Sequence, residues 1–159
     1  MDNNYFTVKD WNILNKRFPM TSQIEMAIKE ANTALPSRKI ADLIERTNLS
    51  ADMKSLLNDI AQVTVKVGGK LVTIGRKILS VAFEFVKLFP TITFGAIAAL
   101  VISALIAKIA IIGSVVSAFL SPLLLLIGVG KGALMDLSNP KLDEKISTFI
   151  DSIAALKEV

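Results

Sequence analysis

From Leu88 to Gly130 the chain runs 43 residues with a single charge, Lys108. A membrane-spanning helix needs about 20 consecutive apolar residues. The run is too long for one span and fits two joined by a tight turn. The spacing places the first span near Phe89–Ala107 and the second near Val115–Leu134, with Lys108 and Gly113 at the turn. Pro122 falls inside the second span, where it is expected to kink the helix. The competing reading is a hairpin buried in a soluble helical bundle. A chain of 159 residues leaves little other protein to cover such a hairpin, so a transmembrane hairpin is expected.

Composition points the same way. Apolar residues make up 52% and charged residues 20%, and mean hydropathy is +0.56. There is no cysteine and no histidine, which excludes disulfides, Cys or His zinc sites, thiol nucleophiles and imidazole catalysis. No enzyme, metal or cofactor is expected. Residues 1–52 carry seven basic and seven acidic residues, whereas 53–131 carry eight basic residues against only Asp59 and Glu84. Basic residues flank the apolar run on both sides: Lys66, Lys70, Arg76, Lys77 and Lys87 before it, Lys131, Lys141 and Lys145 after it. By the positive-inside rule both termini face the cytoplasm. A hairpin dipping into one leaflet gives the same flanks. Met1–Asp10 hold no apolar stretch behind a basic start, so no signal peptide is expected. The basic excess lacks interleaved aromatics, and nucleic acid is not an expected partner.

Ahead of the hairpin, polar residues recur at Ser55, Asp59, Gln62, Lys66, Lys70, Thr73, Lys77, Ser80, Glu84 and Lys87, always three or four apart. That spacing predicts one polar-striped amphipathic helix over 51–89, bent or weakened at Gly68-Gly69 and Gly75. Such a helix can lie at the lipid interface, pack in a bundle, or line a lumen with copies of itself. Lys66, Lys70, Thr73, Lys77, Ser80, Glu84 and Lys87 are then candidate pore-lining or headgroup-facing residues.

Residues 1–50 read as short helices forming a small cytoplasmic region. Thr7 with Asp10 suits a helix start running to about Arg17, ended by Phe18-Pro19. Thr21 or Ser22 caps a second, Ser37 a third and Ser50 a fourth. The spacing around Asn48-Leu49-Ser50 faintly suggests a helix-turn-helix, but a small packed helical region fits better. At the other end, Asn139-Pro140 opens a C-terminal amphipathic helix over 139–159. Leu142, Ile146, Phe149, Ile153 and Leu156 form a heptad-type seam, a candidate oligomer seam that can also dock onto the N-terminal helices.

Small residues recur every four positions in the apolar run: Gly95, Ala99, Ser103 and Ala107 on the first arm, Gly113, Ser117 and Ser121 on the second. Ala110, Ser114 and Ala118 lie beside the second set. This spacing lets membrane helices approach closely, and the opposite arm is the expected partner. Gly128-Val129-Gly130-Lys131-Gly132 lacks the spacer and the Ser/Thr of a phosphate loop.

The apolar run and the striped segment before it, over about Ser50–Leu134, give an architecture that resembles colicin-type pore-forming helical proteins. Size and plan are also similar to small membrane effectors of phage defence, including those attached to CRISPR systems. The resemblance implies an all-α protein of the bacterial inner membrane, with a membrane region over 51–134, that self-assembles and permeabilises or depolarises the bilayer. The expected partners are the lipid bilayer, further copies of the chain, and a cytoplasmic protein through residues 1–50. The alternatives are a non-conducting anchor or structural protein, such as a phage virion-membrane component or scaffold, and a holin-like lysis protein.

Overall fold

A computed structural model describes residues 21–158. About three-quarters of the described residues are helical and 4% are strand, an all-α fold. Three short helices open it: α1 (Thr21–Ala31), α2 (Ser37–Glu45) and α3 (Ala51–Ala61). A β-hairpin follows, β1 (Val65–Val67) against β2 (Lys70–Val72), and then α4 (Ile74–Leu88). The apolar run forms α5 (Phe94–Lys108), α6 (Ala110–Val116), a 3-10 turn (Ser117–Phe119) and α7 (Leu120–Ile127). A one-turn helix α8 (Lys131–Leu134), the 3-10 turn Met135–Leu137, α9 (Pro140–Ser152) and a final 3-10 turn (Ala154–Glu158) complete the described residues. The helix expected from Thr7 to Arg17 lies outside them.

Local capping sets several of these starts. Ser50 Oγ accepts from Met53 N at 3.2 Å, Thr93 Oγ1 from Ala96 N at 3.2 Å, and Asn139 Oδ1 from Leu142 N at 2.8 Å. Pro140 fills the first turn of α9, where its missing N–H has no partner to lose. At α2 the cap position is Pro36, and Ser37 is already helical without a capping bond, one residue later than its expected role. Replacing Ser50 or Asn139 with Ala should cost about 1 kcal/mol each. Urea unfolding would register this as a lower midpoint at unchanged slope, and an unmoved midpoint would mean that the cap contributes nothing.

The single striped helix expected over 51–89 is three elements. Gln62 ends α3, and Val63, Thr64, Val65, Val67, Val72 and Thr73 supply the β-branched residues that favour strand. Gly68 and Gly69 take φ of +58° and +79°, the conformation a two-residue hairpin turn requires. The strands pair antiparallel with Val65 opposite Val72, Lys66 opposite Leu71, and Val67 opposite Lys70. Val67 and Val72 are fully buried. The hairpin reverses the chain so that α4 crosses the end of α3 at Gly75, whose N–H donates to Val63 O at 3.0 Å.

The apolar run also departs from its expected form. The arms meet directly at Lys108–Ile109, and Gly113 lies inside α6, packed on Ile106, rather than in the turn. The second arm breaks into a 3-10 turn at Ser117–Phe119 because Pro122 has no N–H for the carbonyl four residues back, and its ring crowds that carbonyl. It ends at Ile127, where Gly128 takes a left-handed conformation (φ +76°) and closes the helix.

Helix α5 is the centre of the molecule. It packs against α4, α6, α7, α8 and α9, and ten of its fifteen residues are buried. Phe94 stacks on Phe83 of α4 with ring centroids 4.2 Å apart. The expectation that too little chain remains to cover the hairpin does not hold for its first arm, for a geometric reason. Gly95, Ala96, Ala98, Ala99 and Ala104 make α5 thin, so five neighbouring elements suffice.

Candidate functional site

The candidate features are the apolar hairpin Phe94–Ile127 and the polar contacts that hold the N-terminal segment on β2 and α4. Its two arms are treated differently by the fold. Ala99, Ile97, Val101, Ile102 and Leu105 of α5 are inaccessible to solvent. The second arm, 110–127, is the one helix among the described residues long and apolar enough to cross a membrane, and only 33% of it is buried.

The small residues divide along the same line. Gly95 packs against Ile127 and Met53, and Gly113 against Ile106, so both serve close helix contact. Ala99 is core. Ser103, Ala104 and Ala107 instead floor a cleft of about 570 Å³ whose far wall is Ile146 and Ile150 of α9, with Lys108, Lys157, Asp143 and Asp151 among its lining. Two cations and two carboxylates there present no charge of one sign. Ser117 and Ser121 face outward with Ser114 and Ala118; they do not meet the first arm as expected.

The residues of the expected stripe separate into three settings. Lys66 and Lys70 are exposed on the β-hairpin, and Glu84 and Lys87 are exposed on α4. Thr73, Lys77 and Ser80 face the protein and form a latch with the segment joining α1 to α2. Asn32 is its first member: Oδ1 accepts from Thr73 N at 2.9 Å and Thr73 Oγ1 at 3.0 Å, and Nδ2 donates to Leu71 O at 3.2 Å. Ser80 Oγ accepts from Leu35 N at 3.0 Å and donates to Arg76 O, and Arg76 Nη1 donates to Leu35 O at 3.1 Å. Lys77 closes it. Its Nζ donates to Glu30 Oε2 and to Thr33 Oγ1, both at 3.0 Å, and to Thr33 O at 3.4 Å.

Lys77 is 7% exposed, a buried charge held by one carboxylate and one residue's two oxygens. A lysine in that position cannot face a lumen or a headgroup in this fold, because its ammonium is engaged by α1 and the turn after it. Burial of a charge is tolerated only with such partners. Asn32, Thr33, Glu30 and Leu35 carry no local sign of this role, since their partners lie 39 to 47 residues away.

The C-terminal seam is internal. Leu142, Ile153 and Leu156 are fully buried, and Ile146 and Phe149 are 6% and 7% exposed. They fill the core of their own chain, where α9 packs on α4 and α5 and the final turn packs on α1. The expected oligomer seam is therefore not offered to a second copy in this fold. Among the described residues no group of three or more acidic side chains is placed to hold a metal ion. Comparison with protein-family models, curated proteins and solved structures finds no match to this chain.

Proposed function

We propose that this chain is a membrane-active protein that keeps the first arm of its hairpin inside a helical jacket and releases the hairpin into a bilayer, where copies assemble and permeabilise it. The observation that carries this reading is the unequal burial of the hairpin. A core helix as apolar as 110–127 is normally enclosed, yet only 33% of it is buried and Leu125 and Leu126 stand exposed, where water meets them at a cost proportional to the apolar area. Lipid removes that cost.

The first arm needs a rearrangement. At 1.5 Å per residue, fifteen residues reach about 22 Å, short of the roughly 30 Å hydrocarbon core. The uncharged linker Phe89–Thr93 must join α5 to complete a span. That cannot occur while α4, α8 and α9 pack against α5. The latch fastens α4, one of these elements, to the N-terminal segment, and its groups can be resatisfied by water once separated. Its opening supports a path from folded chain to inserted hairpin. Two spans cannot enclose a water path alone, so conduction requires several copies.

The test uses cysteines at positions 32 and 73, side chains in direct contact through the Asn32–Thr73 hydrogen bond. The chain has no thiol of its own. Wild-type protein should release dye trapped in vesicles of mixed zwitterionic and anionic lipid. Oxidised Asn32→Cys, Thr73→Cys protein should release it at least about 10-fold more slowly, and reductant should restore the rate. Equal release by the oxidised form would reject opening at the latch. Vesicle binding without any release by the wild type would reject the pore and leave a non-conducting anchor.

A further inference from the structure

Four of the five exposed leucines among the described residues gather toward one end of the bundle, and we infer that this end is the surface by which the closed protein docks on a lipid bilayer before any opening. This rests on the membrane-active reading above. Leu88, at the end of α4, is 53% exposed; Leu125 and Leu126, in the last turn of α7, are 81% and 39% exposed; Leu137 is 38% exposed. The linker after α4, the end of α7 and Leu137 meet around one small groove, lined by Thr91, Ile92, Ile127 and Val129 with Leu137. Gly95 at the start of α5 packs on Ile127 at the same end.

A cluster of exposed leucines usually marks a contact surface. Three observations favour lipid as what covers this one. Both loops that form the tip, Phe89–Thr93 and Gly128–Gly130, carry no charge, and neither does any residue of α7. A protein partner is normally registered by a polar, hydrogen-bonding rim, and such loops offer few side chains to build one. Leu125 and Leu126 also belong to the helix that is long and apolar enough to cross a membrane, so the docked tip is continuous with the segment that would enter. Finally, Lys87 is exposed beside Leu88, at the height where a headgroup would meet a lysine if the leucines reached the acyl boundary.

The experiment is flotation with vesicles, using the oxidised Asn32→Cys, Thr73→Cys protein so that docking is read apart from opening. This locked protein should float with vesicles containing anionic lipid and release no dye. Leu88→Glu with Leu125→Glu should lower its partitioning at least about 100-fold, since two leucine side chains lose their burial. Both positions are exposed, so helical circular dichroism and the unfolding midpoint should be retained. Lys87→Glu should lower binding several-fold on anionic vesicles and little on zwitterionic ones. Leu71→Glu is the control, because Leu71 is 54% exposed but lies on β2, at the other end of α4.

Undiminished flotation of the double variant, or an equal loss with Leu71→Glu, would overturn the assignment. So would self-association of the locked protein in solution that the double variant abolishes while vesicle binding persists, which would make the tip an interface between copies. Tip-dependent flotation of wild-type protein with no dye release would leave docking in place and remove the pore.

Discussion

Replacing Gly75 with alanine should destabilise the protein by roughly 3 kcal/mol or more, although alanine for glycine in a helix normally gains about 0.5–1 kcal/mol. The sign reverses because α3 and α4 cross at this residue. A Cβ built on Gly75 meets Ile60 O at 1.8 Å, Ile60 C at 2.9 Å and Val63 N at 3.0 Å. All three are backbone atoms, so no side chain can swing aside. Relief requires α4 to move off the end of α3, which also strains the Gly75 N–Val63 O bond, worth about 1 kcal/mol. Overpacking of this kind costs about 1–3 kcal/mol even where side chains can adjust. Against a total stability of about 5–15 kcal/mol, the melting temperature should fall by about 10 °C.

The other packed glycines set the scale. A Cβ on Gly113 meets Ile106 Cα at 2.8 Å, and one on Gly95 meets side-chain atoms only, the Ile127 Cγ2 methyl at 2.8 Å and the Met53 Cε methyl at 3.2 Å. Gly132, in α8, meets nothing within 4 Å. The alanine series should therefore rank Gly75 as the most costly, then Gly113, then Gly95, with Gly132 neutral or slightly stabilising. Thermal unfolding of the four variants decides it; a Gly75→Ala protein as stable as the wild type would show that the α3–α4 crossing is not as close as described.

Gly75 also shows where sequence reasoning stops. The polar spacing of three and four residues continues through 62–73, and periodicity alone extends a helix across it. The contrary signals are local: β-branched residues at 63, 64, 65, 67, 72 and 73, and a Gly-Gly pair with the two-residue length of a tight hairpin. Weighed against the stripe, they identify the break. The caps at Ser50 and Asn139 are legible because a cap is satisfied within three residues of itself. The C-terminal seam is legible as an apolar face, but its partner is not, since five buried side chains look alike whether they meet α1, α4 and α5 or another chain. The latch is beyond reach for a related reason. Lys77 reads as a surface lysine on a polar stripe until Glu30 and Thr33 are brought to it from 47 and 44 positions away.

Reversing the charge at Lys77 should have the second large effect, and its pattern separates a latch from an incidental ion pair. Lys77→Glu places a carboxylate opposite Glu30 and against the Thr33 carbonyl, removing the donor of three acceptors in a site that was 7% exposed. The new carboxylate is itself an uncompensated buried charge, which costs about 3–5 kcal/mol, and repulsion from Glu30 adds to it. Lys77→Met should be much milder, within about 1–2 kcal/mol, because Glu30 is 45% exposed and water can take its partner's place. Glu30→Gln should cost under about 1 kcal/mol for the same reason. The swap Glu30→Lys, Lys77→Glu should recover only part of the loss, since attraction returns but a carboxylate at 77 still cannot donate to Thr33 O. Denaturant unfolding measures the four stabilities, and dye release from vesicles measures what the latch governs. Release should accelerate in the order wild type, Lys77→Met, swap, Lys77→Glu. If Lys77→Glu unfolds more easily yet releases dye no faster than the wild type, the contact between α1 and α4 holds the fold but does not limit entry into the membrane.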